Sequence, residues 1–215
     1  MRLVLLGPPG SGKGTQAVTL ADEMNVPHIA TGDLFRAEMA AETELGKLAD
    51  DYISHGNLVP DAIVNEMMRV RLGGIDCDSF VLDGYPRTLH QAEALQEILD
   101  DLERPICVAV DIEVPDEAIV ERAVGRLVCP DCGAIYHLTS KPPRVGGICD
   151  VCRGKLHVRS DDQPSTVRHR LSVYHRITYP VLKFYRERGL LRTVSGLGSR
   201  DEVGERLRAQ IRGVC

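Results

Sequence analysis

The sequence predicts an α/β fold: a doubly wound, parallel five-stranded sheet with helices on both faces, a small helical lobe and a four-cysteine lid. Short apolar runs alternate with stretches of helical periodicity, as in parallel strands joined by helical crossovers. A glycine-rich loop follows the first run at residues 7–15. An insertion at residues 127–163 lacks helical periodicity and carries two Cys-x-x-Cys pairs, which predict the lid.

Each element is predicted from its apolar spacing and its flanking residues. The strands are the apolar runs at 2–6, 28–30, 80–83, 106–112 and 191–194. The helices are the periodic stretches at 14–24, 61–72, 89–102, 116–124, 165–188 and 200–211, with two shorter helices within 33–54 that break near Thr43. Pro60 and Pro115 precede two helix starts, and Pro180 predicts a kink or interruption in the stretch at 165–188.

The order of these elements predicts three parts. The core is expected to comprise residues 1–29, 60–125 and 164–215. Residues 30–59 are expected to form the small lobe, because they carry short helices rich in acidic residues, and residues 126–163 form the lid.

Composition excludes several classes of function. The 215 residues are 43% hydrophobic and 27% charged, which is ordinary for a soluble globular protein. A net charge of −5 argues against binding to nucleic acid or acidic membranes, and 4% aromatic residues without tryptophan argue against stacking on single strands. Only four consecutive apolar residues precede Gly7, which is too short for a signal peptide, so a cytoplasmic protein is expected.

The glycine-rich loop predicts a phosphate-binding site. Residues 7–15 read GPPGSGKGT and fit the pattern G-x-x-x-x-G-K between a strand and a helix. The glycines let main-chain N–H groups turn inward and cradle phosphate oxygens at the positive end of the helix. Lys13 is expected to reach the β- and γ-phosphates of a nucleoside triphosphate. Phosphate contacts are predicted for Gly10, Ser11, Gly12, Lys13, Gly14 and Thr15.

The loop departs from its usual pattern at one position. Gly14 stands where Ser or Thr normally follows the lysine, and the hydroxyl comes one residue later at Thr15. Thr15 is therefore expected to face phosphate oxygens more than to ligate Mg²⁺ directly. Asp83, at the carboxyl end of the run FVLD, is predicted to hold a hydrated Mg²⁺.

The cysteine pairs predict a structural zinc site. The spacing is Cys129-x2-Cys132-x16-Cys149-x2-Cys152, and four thiolates leave no open position on tetrahedral Zn²⁺. A redox device and a nucleic-acid-binding ribbon are alternatives. The first is disfavoured because the two pairs occur together, and the second because the charges between them cancel. The other cysteines, at 77, 107 and 215, are interpreted as unpaired small side chains.

Four further motifs follow the phosphate loop in order: TGDLFR (31–36), LDGYPRTLHQ (82–91), ERAVGR (121–126) and RSDDQPSTVRHR (159–170). With the loop and the cysteine insertion they resemble the adenylate kinase family in its long-lid, zinc-containing bacterial form, over essentially all 215 residues. The resemblance implies reversible, Mg²⁺-dependent transfer of the terminal phosphoryl group of ATP to AMP, giving two ADP. It also implies a monomer that helps balance the adenine nucleotides.

The resemblance further implies a role for individual residues. The ATP side is implied to include Arg122, Arg126, Tyr136 in the lid and the main chain near Gly198. The AMP side is implied to include Thr31, Arg36, Asn57, Leu58, Val59, Gly84, Tyr85, Arg87 and Gln91. In that set Arg36 and Arg87 hold the phosphate, and Gln91 reads the adenine edge. Arg159 and Arg170 gather on the phosphates in transit, and Asp161 and Asp162 orient lid arginines through ion pairs.

Catalysis by such a set is expected to rest on positioning and electrostatic stabilisation. The attacking phosphate is already anionic, so no dedicated general base is needed. The catalytic residues are predicted to be Lys13, Arg87, Arg122, Arg159 and Arg170. Two other interpretations remain: a kinase for another nucleoside monophosphate, and a nucleotide-dependent switch whose cysteine lobe engages a nucleic acid or a protein.

Overall fold

The computed structural model describes residues 1–214 and has a parallel sheet between two layers of helices. The strands are β1 (Arg2–Leu6), β2 (His28–Ala30), β3 (Phe80–Asp83), β4 (Val108–Glu113), β5 (Arg126–Val128), β6 (Ile135–His137) and β7 (Leu191–Ser195). The helices are α1 (Lys13–Met24), α2 (Thr31–Ala40), α3 (Glu44–Ile53), α4 (Asp61–Gly73), α5 (Leu89–Asp101), α6 (Asp116–Val124), α7 (Pro164–Val173), α8 (Tyr179–Glu187) and α9 (Arg200–Ile211).

The central sheet confirms the predicted five parallel strands. Its order is β2-β3-β1-β4-β7, and every neighbouring pair is parallel. In an open parallel sheet the loops at the carboxyl ends of the strands meet at one edge, where ligands bind. This edge collects the loop after β1, the turn after β3 and the segments after β4 and β7.

Apolar side chains cover both faces of the sheet because side chains alternate along a strand. In β1, Val4 and Leu6 join the core formed with α4, α5 and α8. Leu3 and Leu5 point to the other face and join the core formed with α1, α6, α7 and α9. The sheet is therefore buried on both sides, as a parallel sheet requires.

The long helical stretch at 165–188 is interrupted, as predicted, but the break precedes Pro180. Residues Tyr174–Thr178 form a π-helical turn between α7 and α8, and Pro180 lies in the first turn of α8. Proline is tolerated there because the first turn of a helix needs no N–H donor. Because proline has no N–H, the Arg176 carbonyl cannot accept a helical hydrogen bond from residue 180. The turn before the proline widens into the π-helical form instead.

Two segments add helices or short strands beside the central sheet. In residues 30–59, α2 and α3 are joined by a short turn in which the Thr43 hydroxyl accepts from the Gly46 N–H and caps α3. In residues 126–163, β5 and β6 form an antiparallel hairpin, and a 3₁₀ turn at Ser160–Asp162 leads into α7. The lid's own buried cluster consists of Cys129, Tyr136, Cys149 and Leu156.

The isolated cysteines differ from one another. Cys77 has a free thiol, as predicted. Cys107 is disulfide-bonded, so the prediction of an unpaired thiol is wrong at that position. The prediction for Cys215 lies outside the described residues. Among residues 1–214, no helix combines the length and the apolar character needed to cross a membrane.

Candidate active site

The phosphate loop lies between β1 and α1, at the ligand-binding edge of the sheet. Gly10 and Gly12 have φ values of 82° and 97°, in the left-handed region that favours glycine. A Cβ on Gly10 would also lie 2.9 Å from the Ile119 Cγ2 atom of α6. Glycine at these positions lets the loop turn tightly into the N-terminus of α1, the end of a helix that favours a bound anion.

Lys13 folds back over this loop. Its Nζ atom donates to the carbonyl oxygens of Gly7 at 2.6 Å and Pro8 at 2.7 Å. Burial, together with the positive charges of Arg87 and Arg170, lowers the pKa of the amine to about 8, against the opposing effect of the Asp83 carboxylate. The protonated lysine has too little negative charge around it. A bound polyphosphate would supply that charge and stabilise the protonated amine.

Asp83 ends β3 opposite the start of α1. Burial raises the pKa of its carboxyl, but the nearby imidazole of His28 and the charge of Lys13 outweigh burial and hold that pKa below its usual value. Asp83 is therefore ionised. A Cβ on Gly14 would lie 3.3 Å from the Asp83 Oδ2 atom, so glycine at residue 14 keeps the space beside this carboxylate open. An open, ionised carboxylate beside a phosphate loop fits a hydrated Mg²⁺.

Arg87 lies in the turn after β3. Its Nε atom donates to the Gly84 carbonyl at 2.7 Å, and the Thr31 hydroxyl donates to the same oxygen at 2.8 Å. Burial lowers the pKa of the guanidinium, and the neighbouring charges of Arg36 and Arg159 lower it further, against the attraction of Asp83. Arg36 itself pairs with Asp33 at the rim. This end of the cleft thus concentrates positive charge.

The lid arginines are held by two buried carboxylates. Arg159 binds Asp161 through two N–H groups, both at 2.9 Å, and Arg170 binds the same carboxylate at 2.7 Å. Arg126 binds Asp162 through its Nε at 2.8 Å and a second N–H at 2.5 Å. Asp161 and Asp162 are 4% and 2% exposed, so these pairs are fixed in place. The predicted ion pairs are confirmed.

Two more predicted contacts lie at the end of α6 and on the segment after β7. Arg122, in the last turn of α6, donates to the Gly196 carbonyl at 2.9 Å. Gly198 has a φ of 106°, and a Cβ there would meet the Glu202 side chain at 2.5 Å. The turn therefore needs glycine to bring its main chain to the edge of the cleft.

These groups line one cleft of about 1720 Å³. Pockets for single drug-sized ligands occupy roughly 300–1,000 Å³, so this cleft has room for more than one such ligand. The predicted ligand-contacting residues that line it are Gly10, Ser11, Gly12, Lys13, Gly14, Thr15, Thr31, Arg36, Asn57, Leu58, Val59, Asp83, Gly84, Arg87, Gln91, Arg122, Arg126, Tyr136, Arg159, Arg170 and Gly198.

Of the two predicted tyrosines, one is placed differently from the prediction and the other lines the cleft as expected. Tyr85 does not line the cleft: its side chain is 1% exposed in the core, and its hydroxyl donates to Asn65 Oδ1 at 2.9 Å. An apolar ring with one satisfied polar atom is most stable there. Tyr136 reaches the cleft wall, but its hydroxyl points into the lid, where it lies 3.5 Å from Cys149 Sγ and accepts from the Asp150 N–H.

The four lid cysteines lie together, as predicted. Their sulfur atoms are all within 4.8 Å of one another, with Cys129 to Cys152 at 3.3 Å and Cys132 to Cys149 at 3.6 Å. Tetrahedral Zn²⁺ with bonds of about 2.3 Å places its sulfur ligands about 3.8 Å apart, so the cluster fits the metal. A hydrogen bond from Tyr136 lowers the pKa of Cys149 to about 6, which favours the thiolate that a metal binds.

Sequence reasoning missed two neighbours of Asp83 and Lys13. His28 Nε2 lies 3.9 Å from Asp83, and Asp111 within β4 is 3% exposed with its pKa raised to about 6, chiefly by burial. His28 and Asp111 follow ordinary strand patterns, and no motif marks them. Their place in β2 and β4, the strands beside β3 and β1, would have been a usable signal only with the strand order in hand.

Comparison with known proteins agrees with this geometry. The family model described as adenylate kinase matches residues 5–190. An adenylate kinase of Symbiobacterium thermophilum is 53% identical over 99% of both chains. Those of Streptomyces avermitilis and Methanosarcina barkeri are 49% and 46% identical, the first over 96% of this chain and 94% of its own, the second over 99% of both. The chain therefore belongs to the adenylate kinase family of nucleoside monophosphate kinases.

Proposed function

We propose that this chain transfers the terminal phosphoryl group of ATP to AMP, reversibly and in one direct step, giving two ADP. The observation that carries the proposal is the convergence of Lys13, Arg87, Arg122, Arg126, Arg159 and Arg170 on one cleft of about 1720 Å³. These cations come from four separate motifs along the chain. A cluster so rich in positive charge suits the junction of two nucleotide phosphate chains.

The two ends of the cleft divide the binding work. The phosphate loop, Arg122, Arg126, Tyr136 and Gly198 take ATP, and Arg36, Arg87 and the surroundings of Thr31, residues 57–59, Gly84 and Gln91 take AMP. Lys13, Arg87, Arg122, Arg159 and Arg170 neutralise the phosphoryl group as it moves. Closure of the lid over the cleft excludes water, which is the competing acceptor. The division into core, lobe and lid is part of this proposal.

Two metals belong to the proposal. Mg²⁺ on ATP draws charge from the phosphates, and Asp83 is the residue that would hold it through water. Zn²⁺ in the cysteine cluster is structural, because four thiolates complete its coordination shell. The protein acts as a cytoplasmic monomer and binds neither nucleic acid nor membranes, in line with its net charge of −5.

A coupled assay tests the reaction. The enzyme is given ATP and Mg²⁺ with AMP, UMP, CMP or GMP in turn, and ADP formation is followed. Fast turnover with AMP, exceeding that with the other three, supports the proposal. A preference for another monophosphate would make the chain a kinase for that nucleotide. Slow hydrolysis of ATP without any acceptor preference would favour a nucleotide switch.

The pKa of Lys13 predicts proton uptake on ATP binding in alkaline solution. Because burial lowers this pKa to about 8 in the free protein, the amine is mostly neutral at pH 9, and the polyphosphate favours its protonated form. ATP affinity should fall above pH 8. Calorimetry at pH 9 in two buffers of different ionisation enthalpy should show proton uptake that vanishes at pH 6.5 and in Lys13→Met. Equal uptake in the variant would assign the proton to another group.

Removing zinc is expected to destabilise the lid and to spare the chemistry. The lid's own buried cluster has only four members, Cys129, Tyr136, Cys149 and Leu156, so metal bonds supply much of its folding free energy. Chelation, or Cys129→Ser, should lower the melting temperature and increase lid proteolysis while the initial rate at low temperature stays near normal. Cys77→Ser, which alters a free thiol outside the lid, is the control. Loss of the initial rate with an intact lid would contradict a structural role.

A further inference from the structure

Gln91 is held by two partners of fixed polarity. Its Oε1 atom accepts from the Arg87 main-chain N–H at 2.8 Å, and its Nε2 atom donates to Asp61 Oδ1 at 2.7 Å. A main-chain N–H can only donate and a carboxylate can only accept. The two partners therefore allow one orientation of the amide. Rotating it by 180° would set N–H against N–H and oxygen against oxygen.

Asp61 is itself fixed. Its second oxygen, Oδ2, accepts from the Thr88 hydroxyl at 2.7 Å, and the Thr88 oxygen in turn accepts from the Gln91 N–H at 3.0 Å and caps α5. His90 Nδ1 lies 3.5 Å from the same Oδ2 atom. Asp61 begins α4, so it ties the start of α4 to the start of α5 from behind the cleft wall.

Gln91 lines the cleft, although the residue is only 2% exposed. With the inner positions taken, Oε1 keeps one lone pair and Nε2 keeps one N–H. The amide thus offers the cleft an acceptor beside a donor, at fixed places. Adenine offers the complement: its 6-amino group donates, and the adjacent ring nitrogen accepts. Guanine and hypoxanthine carry an acceptor oxygen at position 6 instead.

We infer that Asp61 is a specificity-determining residue of the acceptor site, which selects a 6-aminopurine over a 6-oxopurine monophosphate by fixing the orientation of the Gln91 amide. The inference rests on the proposed function, because it takes Gln91 to face the acceptor base. Asp61 does not line the cleft, so it acts through Gln91 and is a positioning residue. A 6-oxopurine could be accommodated only by rotating the amide, at the cost of both inner hydrogen bonds.

The test compares AMP with IMP, whose base differs at position 6 and at the protonation of the adjacent ring nitrogen. Asp61→Ala removes the acceptor and should lower the AMP-to-IMP ratio of binding constants and of kcat/KM by about tenfold, the worth of about one hydrogen bond. Asp61→Asn can still accept from Gln91 through its oxygen and donate to Thr88 through its amide. This variant should therefore retain most of the AMP-to-IMP ratio. If the negative charge of Asp61 caused the selectivity, Asp61→Asn would lower the ratio as Asp61→Ala does.

Three controls separate selectivity from damage to the fold. Asn65→Ala, one turn further along α4, loses the bond with Tyr85 but leaves Gln91 untouched, and its AMP-to-IMP ratio should match the unaltered protein. Gln91→Ala should lower the ratio by itself, and adding Asp61→Ala should then change it no further. Melting temperatures and the KM for ATP are measured throughout.

An unchanged AMP-to-IMP ratio in Asp61→Ala, or a further loss when it is added to Gln91→Ala, would overturn the inference. The binding arm keeps this test apart from that of the reaction. If the protein bound AMP selectively but transferred no phosphoryl group, the proposed function would fail while a fall of the binding ratio in Asp61→Ala would still support the role of Asp61.

Discussion

Replacing Arg87 by alanine is expected to lower kcat by about three to five orders of magnitude, the range seen when an arginine is removed from a transferring phosphoryl group. This loss corresponds to about 4–7 kcal/mol of transition-state stabilisation. The guanidinium feels the positive charges of Arg36 and Arg159, and its pKa is lowered first by burial. Its charge is therefore poorly compensated until phosphate arrives. Steady-state kinetics with saturating AMP measure the effect.

Stability should be nearly unaffected by the same change. The alanine variant loses the hydrogen bond that Arg87 donates to the Gly84 carbonyl. It also removes one charge from an unfavourable cluster of positive charges. Arg69→Ala is the matched control. Arg69 is an exposed arginine away from the cleft, and its ion pair with Asp101 is long, at 3.8 Å. A fall in kcat of less than about tenfold, far short of the range for such an arginine, would mean that Arg87 is misassigned.

Replacing Asp161 by alanine is expected to lower kcat by about a hundredfold, the cost of a misplacement of about 1 Å among catalytic groups. This one carboxylate holds both Arg159 and Arg170, with bonds of 2.7–2.9 Å. Without the Asp161 carboxylate the two guanidinium groups repel each other, and neither is held in its place. Asp161→Asn keeps the shape but not the charge, so it should lose most of the same activity.

The thermal stability of the Asp161 variants should fall only modestly, because Arg159 and Arg170 are 18% and 17% exposed and can turn towards water. Asp78→Ala removes an equal charge from an exposed ion pair with Arg104 and serves as the control. If kcat fell in proportion to the folded fraction alone, Asp161 would be a structural residue without a positioning role.

The sequence predicted what short segments decide for themselves. Strand alternation follows from apolar spacing, as Leu3 to Leu6 show, and helix ends follow from prolines and capping residues. The phosphate loop is local as well: Gly10 and Gly12 supply backbone angles that other residues adopt only with strain. The cysteine cluster was predictable because two pairs at a suitable spacing satisfy one metal geometry.

Two details differ from the prediction: the position of one helix break and the placement of one tyrosine. The break before Pro180 lies where the π-helical turn at Tyr174–Thr178 falls, several residues earlier than the proline itself suggests. Tyr85 was expected at the acceptor site because its neighbours Gly84 and Arg87 are there. Its side chain instead turns into the core, where burying the ring and satisfying its hydroxyl outweigh its neighbours' location.

Sequence alone thus determined the parallel sheet, the phosphate loop, the four-cysteine cluster and the family. Only the tertiary structure decided which polar groups meet: Asp161 with two arginines, Lys13 with the carbonyls of its own loop, and Asp61 with Gln91, 30 residues further along the chain. The physical reason is range. Backbone preferences and apolar periodicity act over a few residues, whereas a hydrogen bond between distant segments exists only after the sheet order has brought them together.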